Sequence, residues 1–348
     1  MKKLKTPPLL RLLAALTLSA VTATQATADE FYKGRSVQFI ISAGVAGGYA
    51  AYARTLISHM PNHIPGKPDF VFQSMPGAGG LRAANFFYGQ APKDGSVFGM
   101  VHSGVPLAPL LGTQGARFET LKFNWIGSMD RKLGPCTAWH TAPVKTWNDM
   151  LTKEFIVGSS GAGSQMESYP AAMNKLFGTK IKIISGYKDG ASIYQAMERG
   201  EVHGRCGPQL TSITSLRPQW LTEKLITVPI LVGERRAKQF PDSPTLLEFA
   251  KDEMTRQVVR LLTVSQDLDR PVLAPPGVPA ERVALLRSAF NATMQDRAFN
   301  AAIEKQKLTL DWVGGDEVAK TLAAAYSTPA DVVAVAKQIM GSKEKPKK

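Results

Sequence analysis

Two glycine-rich turns, each set where an apolar strand run gives way to a helical pattern, constrain this chain more than any other feature. The first, Ala43-Gly44-Val45-Ala46-Gly47-Gly48-Tyr49, follows the run Val37-Gln38-Phe39-Ile40-Ile41 and precedes Tyr49, Tyr52, Ala53, Leu56, Ile57 and Met60 at helical spacing. The second, Ser159-Ser160-Gly161-Ala162-Gly163-Ser164, follows Phe155-Ile156-Val157. Glycine at such a junction lets the backbone turn tightly and lets a ligand approach the free amides of the next helix, where the helix dipole favours negative charge. Either turn alone is equally well read as an ordinary strand-to-helix connection. The pair points to a site for a small anion.

The N-terminus carries Lys2, Lys3, Lys5 and Arg11, then an apolar stretch from Leu12 to Val21, then Ala26-Thr27-Ala28. That order fits a secretion signal cleaved after Ala28, and the apolar run falls short of the roughly 20 residues that span a bilayer. Four of the positive charges behind the formal net charge of +14 lie in this segment, and the Gly341 to Lys348 tail adds a net three, four Lys less one Glu. The body is therefore moderately basic, and it shows no concentrated stripe that would bind nucleic acid. In an exported chain the two cysteines, Cys136 and Cys206, are expected to form a disulfide.

A length of 348 residues suits about two domains. Short apolar runs alternate with helical patterns, which predicts α/β layers with largely parallel sheets. Strands are expected at Val37 to Ile41, Phe70 to Gln73, Val97 to Val101, Phe155 to Val157, Ile181 to Ile184 and Ile226 to Leu231. Helices are expected at Tyr49 to Met60, Leu81 to Tyr88, Met166 to Phe177, Ser192 to Arg199, Ala280 to Met294 and Asp316 to Tyr326. The chain is expected to cross between two lobes near Phe123 to Gly127 and again near Leu231 to Gly233, giving a discontinuous first lobe, 29–126 with 234–348, and an inserted second lobe, 127–233. A ligand would then sit where the carboxyl ends of the strands face each other.

Common catalytic constellations are missing from the sequence. Ser160 is not in a G-x-S-x-G elbow, because Ala162 stands where the second glycine belongs, and neither H-E-x-x-H nor a phosphate-binding G-x-x-x-x-G-K-[ST] occurs. His59 and His63 have the spacing of a helical metal pair, but Pro61 between them should end the helix. No metal or cofactor is expected. Ser103, after the strand ending at Val101, and Tyr187, in Gly186-Tyr187-Lys188-Asp189-Gly190, are placed to reach the cleft, while Trp125, Trp139, Trp147 and Trp220 read as core.

Several short motifs in fixed order carry a family resemblance. Phe31-Tyr32-Lys33-Gly34-Arg35, the Gly47-Gly48 loop with Ala53-Arg54 in its helix, Pro76-Gly77-Ala78-Gly79-Gly80 and Ala91-Pro92-Lys93-Asp94-Gly95 lie in the first part of the chain. Ser160 to Ser164, Gly186-Tyr187, Pro241-Asp242-Ser243-Pro244-Thr245 and Ala274-Pro275-Pro276-Gly277-Val278-Pro279 follow. Together they resemble the periplasmic solute receptors of tripartite tricarboxylate transporters, the Bug-type receptors. The resemblance implies a two-lobed flytrap of the type II-like periplasmic-binding-protein architecture, monomeric and without catalysis, that delivers an organic acid to membrane permease subunits. A di- or tricarboxylate or an aromatic acid would be the solute. Its carboxylate would be met by the Gly47, Gly48 and Tyr49 amides, Ser103 and the Gly163 and Ser164 region, and Ser160 and Tyr187 are further candidate ligand-binding residues, Tyr187 as a wall of the pocket. Many relatives carry Asp at the position of Ala50, so this chain departs from the family there. Two other readings of the residues stand beside this one: a secreted α/β hydrolase using a loop serine, and a ligand sensor for a signalling partner.

Overall fold

The computed structural model describes residues 30–161, 164–207, 210–233, 236–237 and 239–341. The signal-like segment with its expected cleavage site, and Gly163, lie outside the described residues. One sheet holds β1 (Ser36–Ile41), β2 (Asp69–Ser74), β3 (Val97–Met100), β4 (Asn124–Asp130), β10 (Asp269–Ala274) and β11 (Val313–Gly314), in the order β11-β4-β10-β3-β1-β2. A second holds β5 (Gly134–Trp139), β6 (Phe155–Ser159), β7 (Ile181–Ser185), β8 (Gly204–Cys206) and β9 (Ile226–Val232), in the order β7-β6-β8-β5-β9. All six expected strands and all six expected helices form, with ends shifted by at most two residues.

Both sheets are mixed, which corrects the expectation of largely parallel pairing. β1 pairs in parallel with β2 and β3, and β6 with β7 and β8, but β10 runs antiparallel to both β3 and β4, and β5 antiparallel to both β8 and β9. The reason is the path of the chain. Only Arg131, Lys132 and Leu133 join β4 to β5, so the chain passes straight from one sheet into the other and later returns through β10 in the opposite sense. The return is gradual. Thr245 still bridges Leu231 of β9 and Leu246 is buried in the second sheet's core, whereas the Glu253–Thr263 helix contributes Val259 to that core and Val258, Leu261 and Leu262 to the first.

Helices cover both faces of each sheet, as alternating strands with two apolar sides require. On the first sheet, Tyr52, Ala53 and Leu56 pack with Leu286 and Phe290 on one side, and Ala84 and Phe87 with Leu322 on the other. On the second, Tyr169 and Met173 fill one side and Tyr194 and Trp220 the other. Trp125, Trp147 and Trp220 are buried as expected, and Trp139 is half-buried against Trp220. Cys136 and Cys206 stand opposite each other in the β5–β8 register and are joined in the expected disulfide. Helix Gly48–His59 stops before Pro61, and His63 pairs with Asp296 at 3.0 Å.

Candidate functional site

The carboxyl ends of β1, β3 and β4 meet those of β6, β7 and β8 across the cleft between the sheets, and the loops that leave them touch directly. Gly79 donates its amide to the Ser160 carbonyl at 3.0 Å, and Gly44 donates to the Lys188 carbonyl at 3.3 Å. Between these loops lies a small cavity of about 40 Å³. Gly47, Gly48, Tyr49 and Ser103 line it from the first sheet's side and Ser164 and Gln165 from the second's. The helices beginning at Gly48 and Gln165 therefore start at its wall, and neither has a side chain capping its first amides. Two helix N-termini of opposite lobes converge there, each offering unsatisfied N–H groups and a positive dipole end.

Five of the expected site residues thus come together around one cavity. Ser160 and Tyr187 line a neighbouring cavity of about 180 Å³, with His102 as the wall shared between the two. The Ser160 hydroxyl is buried there with no partner. Ala50 does not face the cleft. It is buried in the apolar cluster of the Gly48–His59 helix, one position round from Tyr49, so a carboxylate at this position would be a core perturbation before it was a ligand contact.

Gly44 and Gly48 are required by close approach. A Cβ on Gly44 would stand 2.4 Å from Asp189 Oδ2, and one on Gly48 would stand 2.6 Å from Ser212 Oγ and 3.1 Å from Arg270 Nη2. Side chains from the second lobe therefore rest directly on the first glycine turn.

The charged residues of the cavity escaped the sequence reading. Lys132, Arg205 and Arg270 all line it, with Asp189 on the rim and Asp269 behind. Asp269 pairs with Arg270 Nη1 at 2.8 Å and with Lys132 Nζ at 3.4 Å. Burial alone would push its carboxyl up, but Arg270 and Lys132 outweigh burial and hold it below the usual range. Burial pulls the Lys132 ammonium down to about 8 in spite of Asp269. The Arg270 guanidinium lies 4.0 Å over the Tyr49 ring, donates to Ser212 Oγ at 3.2 Å, and stands on a backbone with φ of 64°, a region that L-residues rarely occupy. Such a conformation persists only where the surroundings over-determine it, as the ion pair and the ring do here.

Ser103 ties the lobes together. Its hydroxyl accepts from Lys132 Nζ at 3.0 Å and donates to Gln165 Oε1 at 3.1 Å, and the Gln165 amide in turn donates to Ser265 Oγ. Tyr49 Oη accepts from the Ser103 amide at 3.0 Å. His102 is neutral: burial pushes its imidazole down to about 4, and its Nδ1 donates to the Gly79 carbonyl at 3.0 Å. Deeper still, burial raises Asp130 to about 6, where it accepts from Tyr52 Oη at 3.0 Å. The arrangement is a cation-rich pocket in which Lys132, Arg205 and Arg270 outnumber the neighbouring carboxylates Asp189 and Asp269. Electrostatics of this kind concentrate small anions.

Neither a family model nor a curated sequence matches the chain. Solved structures do. The periplasmic binding protein BugD superposes with a TM-score of 0.70 at 18% identity, over 88% of this chain and 98% of its own. This chain has the periplasmic-binding-protein fold. MatC of Rhodopseudomonas palustris with bound malate gives a TM-score of 0.68 at 17% identity, over 88% of this chain and 99% of that one. An R. palustris protein with adipate gives 0.66 at 17% identity, over 87% and 97%. In a periplasmic-binding-protein fold the cleft between the sheets is where the two lobes can jointly hold a ligand, and that is where the cavity lies.

Among the residues that sequence reading missed, only Arg270 carried a local signal. Asp269-Arg270-Pro271 opens the apolar run Val272-Leu273-Ala274, and charged residues at the mouth of a buried strand mark a site.

Proposed function

We propose that the protein is an exported receptor, processed after Ala28, that captures a small organic carboxylate between its lobes and hands it to a permease of the tripartite tricarboxylate type. The observation that carries this reading is the cavity wall: three buried cations and two helix N-termini converge on one small space between two α/β layers. Neighbours of the same fold hold malate and adipate. The lobe division we propose is 29–126 with 234–348 around the first sheet and 127–233 around the second, except that β4 stays whole in the first sheet to Asp130 and residues 245–249 lean on the second. A ligand that touches both lobes stabilises their closed arrangement by its differential affinity, and a monomer suffices for that.

A hydrolase using Ser103 is disfavoured by the polarity of its hydrogen bonds. The Lys132 ammonium donates to Ser103 Oγ, and the hydroxyl proton is directed at Gln165. A general base would accept that proton, and an ammonium paired to Asp269 does the reverse.

A thermal-shift screen of the mature protein against di- and tricarboxylates, aromatic acids and amino acids tests the reading. An acid present at about a hundred times its dissociation constant should add roughly 2.7 kcal/mol of stability. A flat response to every anion, or turnover of model esters, overturns it. For the acid so found, Gly48→Val is expected to weaken binding roughly ten- to a hundredfold, because the added methyl groups meet Ser212 and Arg270 and hold the lobes apart. Gly48 is the first residue of its helix and makes no use of positive φ, so the melting temperature of the unliganded variant should stay within a few degrees of the wild type. Calorimetry that returned unchanged affinity would place the ligand elsewhere.

A further inference from the structure

The cations of the cleft are not equally provided for. Asp269 serves both Lys132 and Arg270. Arg205 is only 8% exposed, yet among the described residues no carboxylate forms an ion pair with it, and its Nη1 is buried without a hydrogen-bond partner. Its Nε donates to Met166 Sδ at 3.0 Å and its guanidinium lies 5.1 Å from the centre of the Tyr194 ring, contacts that hold the group without neutralising it. Asp189, the acid whose field reaches it, accepts the Ser192 amide at 2.9 Å as a helix cap. Gly190 leaves room for the guanidinium to lie where it does, since a Cβ there would stand 2.5 Å from Nη1.

A buried guanidinium with an unused donor is costly unless an oxyanion completes it, and its planar fork matches a carboxylate better than an ammonium or a loop amide does. The first carboxylate of a ligand already has partners in the free amides at Gly48 and Tyr49. We propose that Arg205 is the specificity-determining anchor of the cleft: it takes a second, formally charged oxyanion, so that the site holds a dianion and rejects the analogue in which that group is neutral. This assignment rests on the receptor reading above.

The test is a cycle run on ligand and protein together. Malonate, succinate and adipate, each beside its own monoamide, are titrated by calorimetry into the wild type, Arg205→Met and Arg205→Lys. In the wild type each diacid that binds should do so roughly ten- to a hundredfold more tightly than its monoamide. In Arg205→Met that ratio should fall to near one through loss of diacid affinity, and Arg205→Lys should keep part of it. A ratio near one in the wild type, or a ratio unchanged in Arg205→Met, overturns the assignment. If Arg205→Met does not fold by circular dichroism, the wild-type ratio and Arg205→Lys decide the matter. Binding of monoacids and monoamides as tight as that of diacids sinks the role of Arg205 and leaves the receptor standing, whereas no binding of any carboxylate to the wild type removes both.

Discussion

Replacing Asp269 by Ala is expected to lower the unfolding free energy by roughly 3 to 5 kcal/mol, the cost of breaking a buried ion pair from one side. Asp269 is fully buried, and it is the carboxylate that both Lys132 and Arg270 pair with across the junction of the lobes. Without it two cations that are themselves buried would face each other with less compensation, and Arg270 would lose the contact that helps to fix its φ of 64°. Asp269→Asn separates charge from shape. It keeps the volume and a hydrogen-bonding group, so if it destabilises nearly as much as Ala, the charge carries the effect. Lys132→Met in the Asp269→Ala background should then recover part of the loss, since one of the two cations that paired with Asp269 is gone. Urea denaturation with an unchanged m-value measures all three. A change below 1 kcal/mol in Asp269→Ala would mean that water or a neighbouring group already solvates the cluster. A bound acid would supply part of the missing negative charge. The ligand-induced increase in stability should therefore be larger in Asp269→Ala than in the wild type.

What could be read from the sequence was whatever repeats locally. β1 was legible because Val37, Phe39 and Ile41 alternate and the glycine turn follows at once, and the next helix because Tyr52, Ala53 and Leu56 share one face. β10 was not legible. Every one of its six residues is buried, yet it opens on Asp269 and Arg270, which by composition belong in a loop. Polarity misleads there because the charges neutralise each other, a fact of three dimensions. Lys132 and Arg205 lie far apart along the chain and occupy no motif, and only the crossing from β4 to β5 and the return through β10 bring them to one wall with Arg270. Both glycine turns were recognisable, because tight backbone approach leaves its mark on residue type. The reach of the Arg205 side chain leaves none. Ala50 shows the same limit at short range, since a step of one residue along a helix turns a side chain by about 100° and separates Ala50 in the core from Tyr49 at the cavity.

Loss of the Cys136–Cys206 disulfide should cost about 4 kcal/mol, and the cost should extend to the ligand. In the chain-entropy account the magnitude follows from the separation of 70 residues, which the unfolded chain is free to explore once the link is cut. The coupling to binding follows from what the link holds. β8 is a three-residue strand, Gly204–Cys206, that pairs with β5 along its whole length on one side and with β6 at the single ladder position Val157–Gly204 on the other, where the preceding His203 also donates its amide to the Ile156 carbonyl at 2.7 Å. Arg205 is its middle residue, so the strand that aims this guanidinium into the cleft is secured chiefly by β5 and by the bond at Cys206. Cys136→Ala with Cys206→Ala should therefore shift the denaturation midpoint strongly and, below that midpoint, weaken diacid binding more than monoamide binding, because the loosened strand frees Arg205 while the helix N-termini stay in place. Denaturation of the oxidised and the doubly substituted protein under identical conditions gives the first quantity and calorimetry the second. Stabilities that agree within about 1 kcal/mol would show that the unfolded chain between the cysteines is already compact. Equal losses for diacid and monoamide would show that β8 holds its position without the bond, with Cys206 serving the stability of the lobe and Arg205 positioned by Tyr194 and Met166 alone.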